Sequence, residues 1–106
     1  MKILLVCCAG MSTSMLVQRM EKAAKEKEID AQILAVPILE AKRENMMDEY
    51  DIVMLGPQVR NELKYLTEMS AGKFPVVLID MRDYGMMNGE KILLHAVDEI
   101  QSFSKS

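Results

Sequence analysis

Ile3-Leu4-Leu5-Val6-Cys7-Cys8-Ala9-Gly10-Met11-Ser12-Thr13-Ser14 joins an apolar run to a loop of small residues with three hydroxyls, and a helical pattern follows directly. An unbroken apolar run that ends in such a loop reads as a strand buried on both faces, with a thiol at its carboxyl end. The loop collects backbone N–H groups around one point, and the start of the next helix is aimed at that point. Both effects favour a bound phosphate and a reactive thiol. Cys7 therefore reads as a nucleophile, with Cys8, Ala9, Gly10, Met11, Ser12, Thr13 and Ser14 as an anion cradle.

Working outward from this stretch, strands and helices alternate. The first strand covers residues 2–7. A helix follows over about 12–27, with Leu16, Val17, Met20, Ala23 and Ala24 at helical spacing and Ser12 or Thr13 as N-cap. A second strand covers 31–36 and is stopped by Pro37, and a short, weakly patterned helix covers 39–46. The third strand spans 51–55, is ended by Gly56-Pro57, and leads into a helix whose inner face carries Val59, Leu63 and Leu66. The fourth strand spans 75–79. After a loop containing Asp80, Asp83, Tyr84, Gly85 and Asn88, a last helix runs to about residue 103 with Leu93, Ala96, Val97 and Ile100 inward. Four continuous apolar strands joined by helices imply an α/β fold, an open parallel sheet covered by helices on both faces, in one domain over 1–106. Loops that follow parallel strands gather at one sheet edge. The Cys7 loop, Gly56-Pro57-Gln58 and the loop from Asp80 to Gly85 are expected together there.

Composition excludes several classes. The net charge is −3 over 106 residues, with acidic and basic residues interspersed, which argues against a nucleic-acid partner. No apolar stretch approaches the roughly 20 residues that span a bilayer, and no signal peptide is visible, so a cytosolic protein is expected. Both cysteines are adjacent, which rules out a disulfide framework. With no C-x-x-C and His95 as the single histidine, neither a zinc site nor a thioredoxin motif fits, and no cofactor is expected.

Phosphoryl chemistry at cysteine needs a thiolate in line with phosphorus and donors for the equatorial oxygens, which residues 8–14 supply. A cysteine phosphatase places an arginine six positions after its nucleophile. Here that position is Thr13, and no lysine or arginine lies between Cys7 and Gln18. Without a fixed positive charge, water attack is poorly assisted, and a cradle of neutral donors suits a carrier that holds a phosphocysteine and passes it on. Asp80 and Asp83 read as a strand-end cap and a solvated loop residue in preference to a general acid. His95 falls off the inward stripe of the last helix and reads as a surface residue. Of eleven methionines, Met11, Met15, Met81, Met86 and Met87 fall at the predicted edge, where they serve equally well as docking surface or as filler.

Three stretches carry a resemblance to a known family. They are strand-Cys-x-Ala-Gly-Met-Ser-Thr-Ser, then Leu55-Gly56-Pro57-Gln58 after the third strand, then Asp80-x-x-x-Tyr84-Gly85 after the fourth. Together they resemble the IIB component of the lactose/cellobiose (N,N'-diacetylchitobiose) type of the sugar phosphotransferase system, over essentially the whole chain. The resemblance implies a four-stranded sheet of order 2-1-3-4, similar to low-molecular-weight tyrosine phosphatases. It also implies a phosphocarrier, in which Cys7 takes a phosphoryl group from a histidine of a IIA component and gives it to a sugar held by a membrane-embedded IIC component. The sugar would be a β-linked disaccharide such as cellobiose, diacetylchitobiose or lactose. Such a carrier works in the cytoplasm and meets the inner face of the membrane only through IIC. Gln58, Asp80 and Tyr84 become candidate site-lining residues. Cys8 stands where relatives commonly have serine, and its oxidation with Cys7 would silence the protein. The competing readings of the same loop are a cysteine phosphatase without the arginine and a thiol redox module built on Cys7 and Cys8.

Overall fold

The computed structural model describes residues 1–8 and 11–104, with residues 11–13 described in their backbone only. Four strands, β1 (Lys2–Cys7), β2 (Gln32–Pro37), β3 (Ile52–Leu55) and β4 (Val76–Leu78), form one parallel sheet in the order β2-β1-β3-β4. The helices are α1 (Met11–Glu26), α2 (Ile38–Ala41), α3 (Leu63–Ser70), α4 (Met81–Gly85) and α5 (Gly89–Ser104). Register places Leu4 beside Leu34 and Val53, and Val6 beside Val36 and Leu55.

Alternation along the strands feeds two cores. Ile3, Leu5, Ile52 and Met54 face Leu16, Met20, Ala23 and Ala24 of α1 and Ile92, Leu93 and Ala96 of α5. Leu4, Val6, Val53 and Leu55 face Ala41, Met47, Val59, Leu66 and Phe74 on the opposite side. The apolar spacing expected of α1 and α5 is the spacing that buries them. Where these two helices cross, a Cβ on Gly89 would lie 2.6 Å from the carbonyl carbon of Arg19 and 2.7 Å from the nitrogen of Met20, so only glycine permits the approach.

Several expected boundaries are corrected. The helix expected over 39–46 ends at Ala41, because Lys42 to Glu44 offer no apolar face and Asn45 takes a left-handed φ of 63°. A 3-10 turn, Met47–Glu49, follows. The helix after β3 opens as a 3-10 stretch, Pro57–Glu62, in which Val59 leaves helical geometry before α3 begins. Lys42 ties these two flanks together, with its Nζ 3.0 Å from Glu62 Oε2 and 4.8 Å from the ring centre of Tyr65. The loop expected after the fourth strand contains α4. Helix α1 starts at Met11, so Ser12 and Thr13 belong to its first turn and neither is the N-cap. Helices cover both faces of the sheet, as expected. Strand β2 is an edge strand that runs through Pro37, where the missing N–H is tolerated, and its Leu34 is 46 % exposed.

Candidate functional site

Cys7 is the last residue of β1, an interior strand of the sheet, and lies opposite Pro37 of β2. It is 5 % exposed, and its Sγ donates to the Val36 carbonyl at 3.5 Å. Cys8 follows as an exposed bend. Of the expected cradle, Ala9 and Gly10 lie outside the described residues, as do the side chains of Met11, Ser12 and Thr13. Helix α1 begins four positions after Cys7. The first N–H groups of any α-helix have no partner within it, and the helix dipole adds a partial positive charge at that end. The end of β1 thus leads within one short loop to a helix start. Ser14 is exposed and sits beside Val17, Gln18, Ile33 and Leu34 in a shallow groove between α1 and β2.

The loop after β3 meets this edge through Gly56, whose N–H donates to the Val6 carbonyl at 2.9 Å. A Cβ on Gly56 would lie 3.3 Å from Gln58 Oε1, 3.4 Å from Tyr84 Cε2 and 3.5 Å from the Val6 oxygen. Gln58 and Tyr84 therefore converge over a glycine bonded to the residue before Cys7. Tyr84 reaches there because α4 turns it inward, where it also packs on the core shared by α1 and α5. Sequence placed these residues at one edge. The structure adds that Gly56 is the point on which both side chains close.

Asp80 sits at the end of β4 as the N-cap of α4. Its Oδ1 accepts from the N–H of Arg82 at 2.9 Å and of Asp83 at 3.0 Å, and its own carbonyl accepts from the N–H of Tyr84 at 2.9 Å. Holding α4 is thus the structural task of Asp80, and α4 carries Tyr84. Asp83, within α4, is half-buried, and its carbonyl accepts from the N–H of Asn88 at 2.8 Å.

His95 lies at the surface, as its place off the inward stripe implied, and also faces a cleft. Its side chain is only 39 % exposed, pairs with Glu99 Oε1 at 3.3 Å, and lines a cleft of about 400 Å³ with Pro57, Arg60, Leu78, Asp80 and Met81. The helical wheel places His95 off the inward stripe correctly. What it lacks is the edge strand β4 and the 3-10 stretch, which only the tertiary fold brings alongside. Arg60 was missed for the same reason; its guanidinium is turned back to donate to the Pro57 carbonyl at 3.0 Å.

Exposed apolar side chains ring the same edge. Leu39, 77 % exposed, follows β2; Met15 lies on α1; Met81 and Met86 follow β4. Met87 is half-buried, and the side chain of Met11 lies outside the described residues. Among the described residues no three metal-ligating side chains cluster, and no helix is long and apolar enough to cross a membrane.

The chain is similar to several known proteins. The family model described as "PTS system, Lactose/Cellobiose specific IIB subunit" matches residues 2–95. The galactose-specific EIIB component of Lactococcus lactis subsp. cremoris is 41 % identical over 102 residues, covering 89 % of this chain and 91 % of the relative. The oligo-beta-mannoside-specific EIIB component of Bacillus subtilis is 41 % identical over 93 residues, covering 85 % and 86 %. The solution structure of a cellobiose-specific IIB component from Borrelia burgdorferi superposes with a TM-score of 0.78 at 48 % identity, covering 96 % of this chain and 93 % of that one.

Proposed function

The chain belongs to the lactose/cellobiose-specific IIB family of the sugar phosphotransferase system, whose members are phosphotransferases, and on that premise we propose that Cys7 is the residue that carries the phosphoryl group. The observation that supports this most is the position of Cys7. It closes an interior strand, four residues ahead of a helix start and one residue beyond the carbonyl that holds Gly56 beneath Gln58 and Tyr84.

In this mechanism the Cys7 thiolate attacks the phosphorus of a phosphohistidine on the IIA component. The N–P bond breaks as the S–P bond forms, and the imidazole leaves. Backbone N–H groups of residues 8–14 bind the phosphoryl oxygens, which spreads the charge that accumulates during transfer. A hydroxyl of the sugar held by the membrane component IIC then attacks the same phosphorus from the side opposite sulfur; the O–P bond forms as the S–P bond breaks, the hydroxyl proton passes to solvent, and Cys7 returns to the thiolate. Gln58 and Tyr84 wall the cradle on the β3 side. No guanidinium stands where a phosphatase places one, since that position is Thr13, so water is a poor acceptor and the phosphocysteine persists until a partner arrives.

The acceptor is a β-linked disaccharide of the cellobiose, diacetylchitobiose or lactose kind. The names of the relatives span cellobiose, galactose and oligo-β-mannosides on one scaffold, which fits a carrier that presents phosphate while IIC selects the sugar. The exposed Leu39, Met15, Met81 and Met86 supply an adaptable apolar rim for two partners met in turn. The carrier then acts at the inner face of the membrane through IIC. In a relay reconstituted with phosphoenolpyruvate, the general phosphotransfer proteins, IIA and membranes containing IIC, Cys7→Ser is expected to abolish sugar phosphorylation. Undiminished sugar phosphorylation by Cys7→Ser would overturn the assignment.

A further inference from the structure

Helix α4, which carries Tyr84 to Gly56, ends in a turn that its own sequence disfavours. The N–H of Met87 donates to the Tyr84 carbonyl at 3.0 Å, and the N–H of Asn88 donates to the Asp83 carbonyl at 2.8 Å. These are the paired bonds of a Schellman turn, in which the residue at the place of Met87 takes a left-handed backbone and is usually glycine. Met87 adopts that backbone, with a φ of 51°. A Cβ makes the conformation costly, so it persists where the surroundings hold it. What holds it comes from α1. The Nη1 of Arg19 donates to the Met87 carbonyl at 3.3 Å from 68 positions earlier in the chain, and Gly89 packs directly onto the Arg19 backbone.

We propose that Arg19 is a positioning residue for the phosphoryl site. By holding the Met87 carbonyl it fixes the far end of α4, and with it the place of Tyr84 over Gly56, relative to the helix that begins beside Cys7. Asp80 secures only the near end of this five-residue helix. Tyr84 is bonded through its own carbonyl to Met87, so a shift of the turn is passed directly to it. The consequence for transfer rests on Cys7 being the phosphoryl carrier; the consequence for Tyr84 does not. Arg19 is exposed, so replacing it leaves both cores intact.

The full chain, Arg19→Ala, Arg19→Lys, Tyr84→Leu and the double variant Arg19→Ala/Tyr84→Leu are compared by two readouts. The first is the Gly56 amide peak in a proton–nitrogen correlation spectrum, which the neighbouring Tyr84 ring shifts and which Tyr84→Leu calibrates. Arg19→Ala is expected to move this peak toward its Tyr84→Leu position, whereas Arg19→Lys, which keeps a charged donor, leaves it near wild type. The second is phosphoryl uptake from phosphorylated IIA. Arg19→Ala should lower the maximal rate about fivefold at an unchanged half-saturating concentration of phosphorylated IIA, since transfer depends steeply on placement. Arg19→Lys should recover most of that loss, and the double variant should be no slower than Tyr84→Leu. A Gly56 peak unmoved by Arg19→Ala, an equal loss in Arg19→Lys, weaker saturation at an unchanged maximal rate, as loss of a direct partner contact gives, or losses that multiply in the double variant would each overturn the proposal. If wild type took up no phosphoryl group, the carrier function would fall, while the Gly56 peak would still decide whether Arg19 places Tyr84.

Discussion

At the scale of single residues, the contacts of Gly56 make it a sensitive position near Cys7. Its φ of −64° suits any residue, so alanine costs little in backbone strain. The cost falls on a side chain instead, because Gln58, at 3.3 Å, must give way by a few tenths of an ångström while Tyr84, at 3.4 Å, comes into ordinary contact. Gly56→Ala is therefore expected to melt close to wild type while phosphoryl uptake slows on the order of tenfold, since transfer depends steeply on placement. An unchanged rate would separate Gln58 and Tyr84 from the chemistry. Asp80 offers the opposite case. Its carboxylate is engaged by two backbone N–H groups, so Asp80→Ala should cost about 1 kcal/mol in urea unfolding, as loss of a cap does. Uptake should slow by no more than about tenfold, because Asp80 acts on the site only through the placing of α4 and Tyr84.

At the scale of elements, the crossing of α1 and α5 at Gly89 holds the helix that begins at the proposed phosphoryl site against the sheet. Gly89→Ala forces a methyl group onto the backbone of Arg19 and Met20, which no rotamer can relieve. A loss of about 1–3 kcal/mol is expected in denaturant titration, the usual cost of overpacking. Stability equal to wild type would mean that the two helices are free to separate. The longer elements were legible in the sequence because each buries a repeating stripe, as Leu16 and Met20 do in α1 and Leu93 and Ala96 in α5. The short ones were not. Helix α4 has five residues, too few for a period, and exists because Asp80 caps it; α2 stops early because a left-handed Asn45 and the polar residues before it give it no face to bury.

At the scale of the whole molecule, the parallel topology carries the functional argument. Strand order β2-β1-β3-β4 brings Pro37, Cys7, Gly56 and Asp80 to one edge from positions far apart in sequence. That convergence could be anticipated, because parallel strands joined by helices end on the same side. The cleft where His95 meets Arg60 and Asp80 could not, because it depends on which strand occupies the edge and on a 3-10 stretch that periodicity does not report. A sheet edge with two neighbouring thiols and an apolar rim, and with Thr13 where a phosphatase has arginine, fits the proposed role of holding a phosphoryl group between partners. Intact-mass analysis after incubation with phosphoenolpyruvate, the general phosphotransfer proteins and IIA tests this most directly. The account predicts one stable phosphoryl adduct that maps to Cys7; an adduct elsewhere, or phosphate released to water as fast as it is loaded, would contradict it.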